Sequence, residues 1–110
     1  MADEGVRDSS AANRFRPDLY VVARMIEKLL QSKDGRLKRT QLQMKSGLNW
    51  NVFTRYLDLL VEKKVLAVGE DQEGVYVTAT VEGRKAYRDL VESIRVIMGE
   101  RWMEETRHFH

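Results

Sequence analysis

Apolar residues along this chain recur at helical spacing in three separated stretches and at strand spacing in one. In the first, Leu19, Val22, Ile26, Leu29 and Leu30 fall mostly at three- and four-residue steps, which puts them on one helical face. Pro17 and Asp18 suit a start and Ser32-Lys33-Asp34-Gly35 a stop, so a first helix is predicted near 18–32. Leu37 follows in a short extended segment. Thr40 with Gln43 three residues later reads as a capping box for a short helix over 40–46, ending at Gly47, where a left-handed backbone is cheap. Leu48 can plug the turn into the core. Asn49 is placed to cap a third helix running from Trp50 to Lys64, with Phe53, Leu57, Leu60 and Val61 as its inward stripe.

Val65-Leu66-Ala67-Val68 and Val75-Tyr76-Val77-Thr78 read as two strands of a hairpin with its tip at 69–74. Thr80 caps a last helix, free of proline and predicted from about 81 to beyond 102. Gly99 weakens its end by up to about 1 kcal/mol relative to Ala. Within it Tyr87, Leu90, Ile94 and Ile97 form a seam of coiled-coil spacing, with Val91, Met98 and Trp102 as a second stripe beside it. The predicted fold is therefore mostly α with a small β-hairpin (α+β): a winged helix-turn-helix with an extended C-terminal helix. Residues 1–16 read as a loose tail, 17–80 as the winged-helix domain, and 81–110 as a dimerisation helix with a frayed end.

Composition narrows the function. The chain has 110 residues, enough for one core. No apolar stretch approaches the roughly 18 residues that spanning a bilayer needs. The first residues are charged and lack an apolar run, so no secretory signal is expected. Without cysteine there are no disulfides, no thiolate chemistry and no common structural zinc site. A cytoplasmic, nucleoid-associated protein is the expectation. Neither a Gly-rich phosphate loop nor a nucleophilic triad is present, and the only histidines, His108 and His110, sit at the end of the chain. No enzymatic activity, cofactor or metal is therefore expected.

The net charge of +2 averages over unlike segments. Residues 36–64 carry seven basic residues (Arg36, Lys38, Arg39, Lys45, Arg55, Lys63 and Lys64) against Asp58 and Glu62, a net of +5. Residues 65–83 carry Glu70, Asp71, Glu73 and Glu82 and no base, a net of −4. Such asymmetry can localise a polyanion on one part of a surface. Two helices joined by a short Gly-containing turn suit DNA: the first helix and core hold the second proud, and a bare helix fits a major groove about 12 Å wide.

The outward candidates on the recognition helix at 49–64 are Asn49, Trp50, Asn51, Thr54 and Arg55; Asn can pair with adenine and Arg with guanine. Asn49 fits a cap as well, Trp50 an edge aromatic, and Arg55 an ion pair with Asp58. Lys38, Arg39, Thr40, Gln41 and Lys45 would frame the helix and meet phosphates. Dimerisation is assigned to Tyr87, Leu90, Val91, Ile94, Ile97, Met98, Arg101 and Trp102.

The run Gly47-Leu48-Asn49-Trp50-Asn51-Val52-Phe53-Thr54-Arg55-Tyr56-Leu57-Asp58-Leu59-Leu60-Val61-Glu62-Lys63-Lys64-Val65-Leu66 resembles the recognition segment of small archaeal winged-helix regulators. Those proteins show a Gly-Leu-Ser/Asn-Tyr start, a mid-helix Tyr-Leu pair and a Glu-Lys-Gly-Leu end. Val77-Thr78-Ala79-Thr80-Val81-Glu82-Gly83 resembles their Leu-Thr-x-x-Gly entry into the last helix. The likeness spans about 19–98. It implies double-stranded DNA as partner and a homodimer formed by antiparallel terminal helices, in either a transcription regulator or a chromatin-type protein.

Two departures stand out. Lys64 replaces a frequent Gly, and the wing tip Gly69-Glu70-Asp71-Gln72-Glu73-Gly74 is acidic where many wings carry Lys or Arg for phosphate. An acidic wing that points away from DNA, or that takes a basic protein partner in an interaction adaptor, is the alternative expectation.

Overall fold

The computed structural model describes residues 15–99. The elements run α1 (Leu19–Gln31), β1 (Arg36–Lys38), α2 (Arg39–Ser46), α3 (Trp50–Glu62), β2 (Leu66–Asp71), β3 (Gly74–Ala79) and α4 (Val81–Met98). The strands form one antiparallel sheet in the order β1-β3-β2, with Leu37 opposite Val77 and Leu66 opposite Ala79. This is a winged-helix fold, mostly helical, with the hairpin as wing. The short extended segment at Leu37 becomes the third strand.

One core joins the elements. It contains Val22, Met25, Ile26 and Leu29 of α1, Leu42 of α2, Phe53, Tyr56, Leu57 and Leu60 of α3, and Leu66, Val77 and Ala79 of the sheet. Leu19 and Leu30, predicted on the inward face of α1, are exposed at its two ends, and Met25 and Ala23 fill the face between them. Val61 is only half-buried, and Tyr56 takes its place in the core of α3.

Several predicted boundaries shift for local reasons. The second helix starts at Arg39, with Lys38 at the cap position, and Gln41 accepts the Lys38 backbone N–H at 3.1 Å. The reciprocal box expected of Thr40 and Gln43 is therefore not formed. Gln43 Nε2 instead donates to the Leu48 carbonyl and clamps the turn, where Gly47 adopts φ 72°. The third helix ends at Glu62 rather than Lys64. Val65 N–H returns to the Leu60 carbonyl and Lys64 N–H to Val61, the paired bonds of a Schellman motif. Lys64 is held at φ 64°, in the left-handed region that favours Gly.

The wing tip is tighter than the predicted 69–74. Asp71 pairs with Gly74, leaving Gln72 and Glu73 as the loop. Gly69 is a strand residue: it faces Tyr76, and a Cβ there would collide with the Tyr76 ring. Gly83 likewise lets α4 approach the chain closely, since a Cβ would run into the Val65 carbonyl oxygen. Thr80 caps α4 as expected, its hydroxyl accepting from Gly83 N–H at 2.8 Å. The helix stops at Met98, with Gly99 at φ 90°, short of the predicted run beyond 102. Residues 1–14, Arg101, Trp102, His108 and His110 lie outside the described residues. Phe15, read as part of the tail, packs against the core.

Candidate nucleic-acid interface

The turn between α2 and α3 is built to hold α3 outward. Phe53 is 0% exposed and anchors the helix, while Trp50, three residues earlier, is 42% exposed. At 100° per residue, Phe53, Tyr56, Leu57 and Leu60 occupy one arc, and Asn51, Thr54, Arg55, Asp58 and Glu62 the opposite one. Asn51, Arg55, Asp58 and Glu62 are exposed and Thr54 is half-buried. The outer face therefore changes sign along the helix, carrying Asn51 and Arg55 in its first half and two carboxylates in its second. Only the N-terminal half suits a polyanion, which is the half that helix-turn-helix proteins turn to base edges.

Each predicted residue has a definite local state. The Asn49 side chain accepts from Val52 N–H at 2.9 Å, so it acts as the cap. The Thr54 hydroxyl donates to the Asn51 carbonyl at 2.9 Å. Trp50 leans on Phe53, ring centroids 5.6 Å apart, and the Arg39 guanidinium lies 5.5 Å from its ring. Arg39 is thereby held at the edge of α3 by a cation–π arrangement. Thr40, Gln41 and Lys45 are exposed on α2, with Gln41 engaged at the Lys38 backbone. Among the described residues Arg55 makes no ion pair with Asp58 or Glu62. Its guanidinium sits 5.8 Å from the Phe15 ring.

Lys38 and the wing share a feature that the sequence did not reveal. Arg36 pairs with Asp71 at 3.2 Å and lies over the Tyr76 ring at 4.2 Å; Lys38 Nζ reaches Glu73 at 3.9 Å. Asp71 also accepts the Glu73 N–H, which fixes the tip. Two of the wing carboxylates thus face bases of β1 across the sheet. The signal was indirect: β1 carries its bases at alternate positions, 36 and 38, so both project to one side. Arg24 was also missed. Its Nη1 donates to the Ser46 carbonyl at 2.8 Å and ties α1 to the end of α2.

On α4, Tyr87 packs against the chain's own core, and Leu90, Val91 and Ile94 are half-buried. Ile97 is 80% exposed, and Val96 and Met98 are also open. The Tyr20 hydroxyl meets Met98 Sδ at 3.9 Å, so the exposed start of α1 and the end of α4 are contiguous. No helix of the described residues is long and apolar enough to cross a membrane. No group of three or more potential metal-ligating side chains occurs among the described residues.

These elements define a winged helix-turn-helix. The chain belongs to the winged helix-turn-helix family whose model matches residues 19–98. No curated protein matches it. Among solved structures it is similar to Sso10a-2, a DNA-binding protein from Sulfolobus solfataricus, at 17% identity and a TM-score of 0.63 over 84% of this chain and 94% of that one. It is similar to F93 from STIV, a winged-helix DNA-binding protein, at 22% identity and TM-score 0.59, covering 73% and 89%. A MarR family transcriptional regulator from Silicibacter pomeroyi DSS matches at 20% identity and TM-score 0.60 over 69% of this chain. The chain spans 52% of that regulator's length. At these identities the likeness is one of fold.

Proposed function

We propose that this protein binds double-stranded DNA as a homodimer, laying the N-terminal half of α3 in the major groove, and acts as a transcription regulator or a chromatin-type protein. The carrying observation is the state of α3: Phe53 is sealed in the core while Trp50, Asn51 and Arg55 stand open, with Arg39 against Trp50. The printed descriptions of F93 and Sso10a-2 as DNA-binding proteins support the same reading. Asn51 and Arg55 are the base-reading residues in this account. Lys38, Arg39, Thr40, Gln41 and Lys45 meet the backbone, and Asn49 and Thr54 shape the helix start. A cytoplasmic, nucleoid-associated location follows.

The apolar surface of Leu19, Tyr20, Ile97 and Met98 supports dimerisation, since contiguous exposed patches of this kind mark interaction sites. The adaptor alternative has less support, because Asp71 and Glu73 already face Arg36 and Lys38.

Titration of a short fluorescent duplex at several salt concentrations tests DNA binding. Affinity should fall as salt rises, by about 0.9 in log–log slope per phosphate contacted. Absence of any duplex binding at low salt would remove the proposal. Selection from random duplexes separates a regulator from a chromatin-type protein. Ile97→Asp should convert dimer to monomer in sedimentation, because an unpaired charge is costly to bury.

A further inference from the structure

The segment that leads into α1 is fastened to the recognition helix at two points, both on Tyr56. The Phe15 ring meets the Tyr56 ring edge-on, centroids 5.0 Å apart. Three residues later the Asp18 backbone N–H donates to the Tyr56 hydroxyl at 2.9 Å. Asp18 is fixed further as the cap of α1, its carboxylate accepting from Tyr20 N–H. Between these fastenings lies Arg16, which is exposed. The same Phe15 ring carries the Arg55 guanidinium, so the segment runs along the flank of the face on which Arg55 and Asn51 stand. On the other flank Arg39 rests against Trp50. The outer face of α3 is thus bordered by a guanidinium on one side and by Phe15, with Arg16 following it in the chain, on the other.

The charge pattern fits this placement. Between Asp8 and Asp18 the only charged residues are Arg14 and Arg16, on either side of Phe15. The Asp18 carboxylate is committed to its helix cap. A basic segment anchored by one aromatic side chain beside a recognition helix has the parts of an arm that meets DNA outside the groove the helix fills. We infer that the segment around Phe15 is a second DNA-contacting element, in which Phe15 sets the position and Arg16 contacts the duplex backbone flanking the α3 site. This rests on the DNA-binding reading above.

The test is Arg16→Ala in the full chain, titrated against the duplex the parent binds, over a salt series. Lys33→Ala serves as control: it removes the same charge from an exposed position on the loop after α1. Affinity at low salt should drop roughly two- to fivefold for the arm variant and its log–log salt slope should shrink by about 0.9, the value for one phosphate. The control should keep the parent's slope. Hydroxyl-radical footprinting should lose protection at the outer edges of the site in the arm variant alone. Phe15→Ala, with folding checked by circular dichroism, should reproduce the slope loss with Arg16 present. An arm variant that matches the parent or the control in slope and footprint overturns the inference while leaving α3 as the binding element. A parent that binds no duplex at low salt removes both.

Discussion

The helix-turn-helix and the wing carry opposite charge within one small domain, and they differ most in what their charged side chains already touch. On α2 and α3, Lys45 and Arg55 are exposed without an ion-pair partner among the described residues, and Arg39 is held against Trp50 rather than a carboxylate. On the wing, Asp71 and Glu73 reach back to Arg36 and Lys38. Part of the +5 and part of the −4 therefore cancel locally. Segment charge alone overstates both the attraction of one region for DNA and the repulsion of the other. An acidic wing need not oppose a polyanion at the helix-turn-helix when two of its three tip carboxylates, Asp71 and Glu73, are turned to the chain's own bases.

The largest expected effect comes from emptying the open face. Asn51→Ala with Arg55→Ala should weaken duplex binding by at least roughly thirtyfold, two base contacts being lost at about 1–3 kcal/mol each. Anisotropy titration reads it, and an unchanged affinity would show that α3 does not read the groove. A smaller change of opposite sign should follow from freeing the paired bases. Asp71→Asn with Glu73→Gln should tighten binding by up to about tenfold and steepen the salt slope by about 1, as Arg36 becomes available to phosphate and Lys38 meets it without competition from Glu73. Both pairs are substantially exposed, so their loss should cost no more than about 1 kcal/mol of stability. Weaker binding in this variant would mean that the wing orients Lys38 rather than withholding it.

The joint between the two regions offers the smallest change. Lys64→Gly should raise stability by about 1 kcal/mol, by relieving a non-glycine residue at φ 64°. Thermal denaturation measures that gain, and DNA affinity should stay within twofold, because the joint sets conformation rather than charge. A fall in stability would mean that the Lys64 side chain contributes more than its backbone strain removes.

Much of this architecture was legible in the chain itself. The 3.6-residue recurrence of Val22, Ile26 and Leu29, and of Phe53, Leu57 and Leu60, fixes two helices and their inward faces, because apolar burial selects the periodicity. Gly47, Asn49 and Thr80 mark the end of α2 and the starts of α3 and α4 through purely local hydrogen bonding and backbone freedom. The exposed candidates Asn51 and Arg55 follow from the same wheel. What the sequence could not supply were pairings across distant stretches. Arg36 with Asp71 spans 35 residues, Asp18 with Tyr56 spans 38, and Arg24 reaches Ser46 across 22. Gln43 clamping the turn, Gly69 clearing Tyr76 and Gly83 admitting α4 to Val65 belong with these. Periodicity and capping are set by residues within one turn of each other, so they can be read along the chain. Which cation meets which carboxylate, and where a Cβ would collide, depends on how the elements pack, and only the folded arrangement decides it.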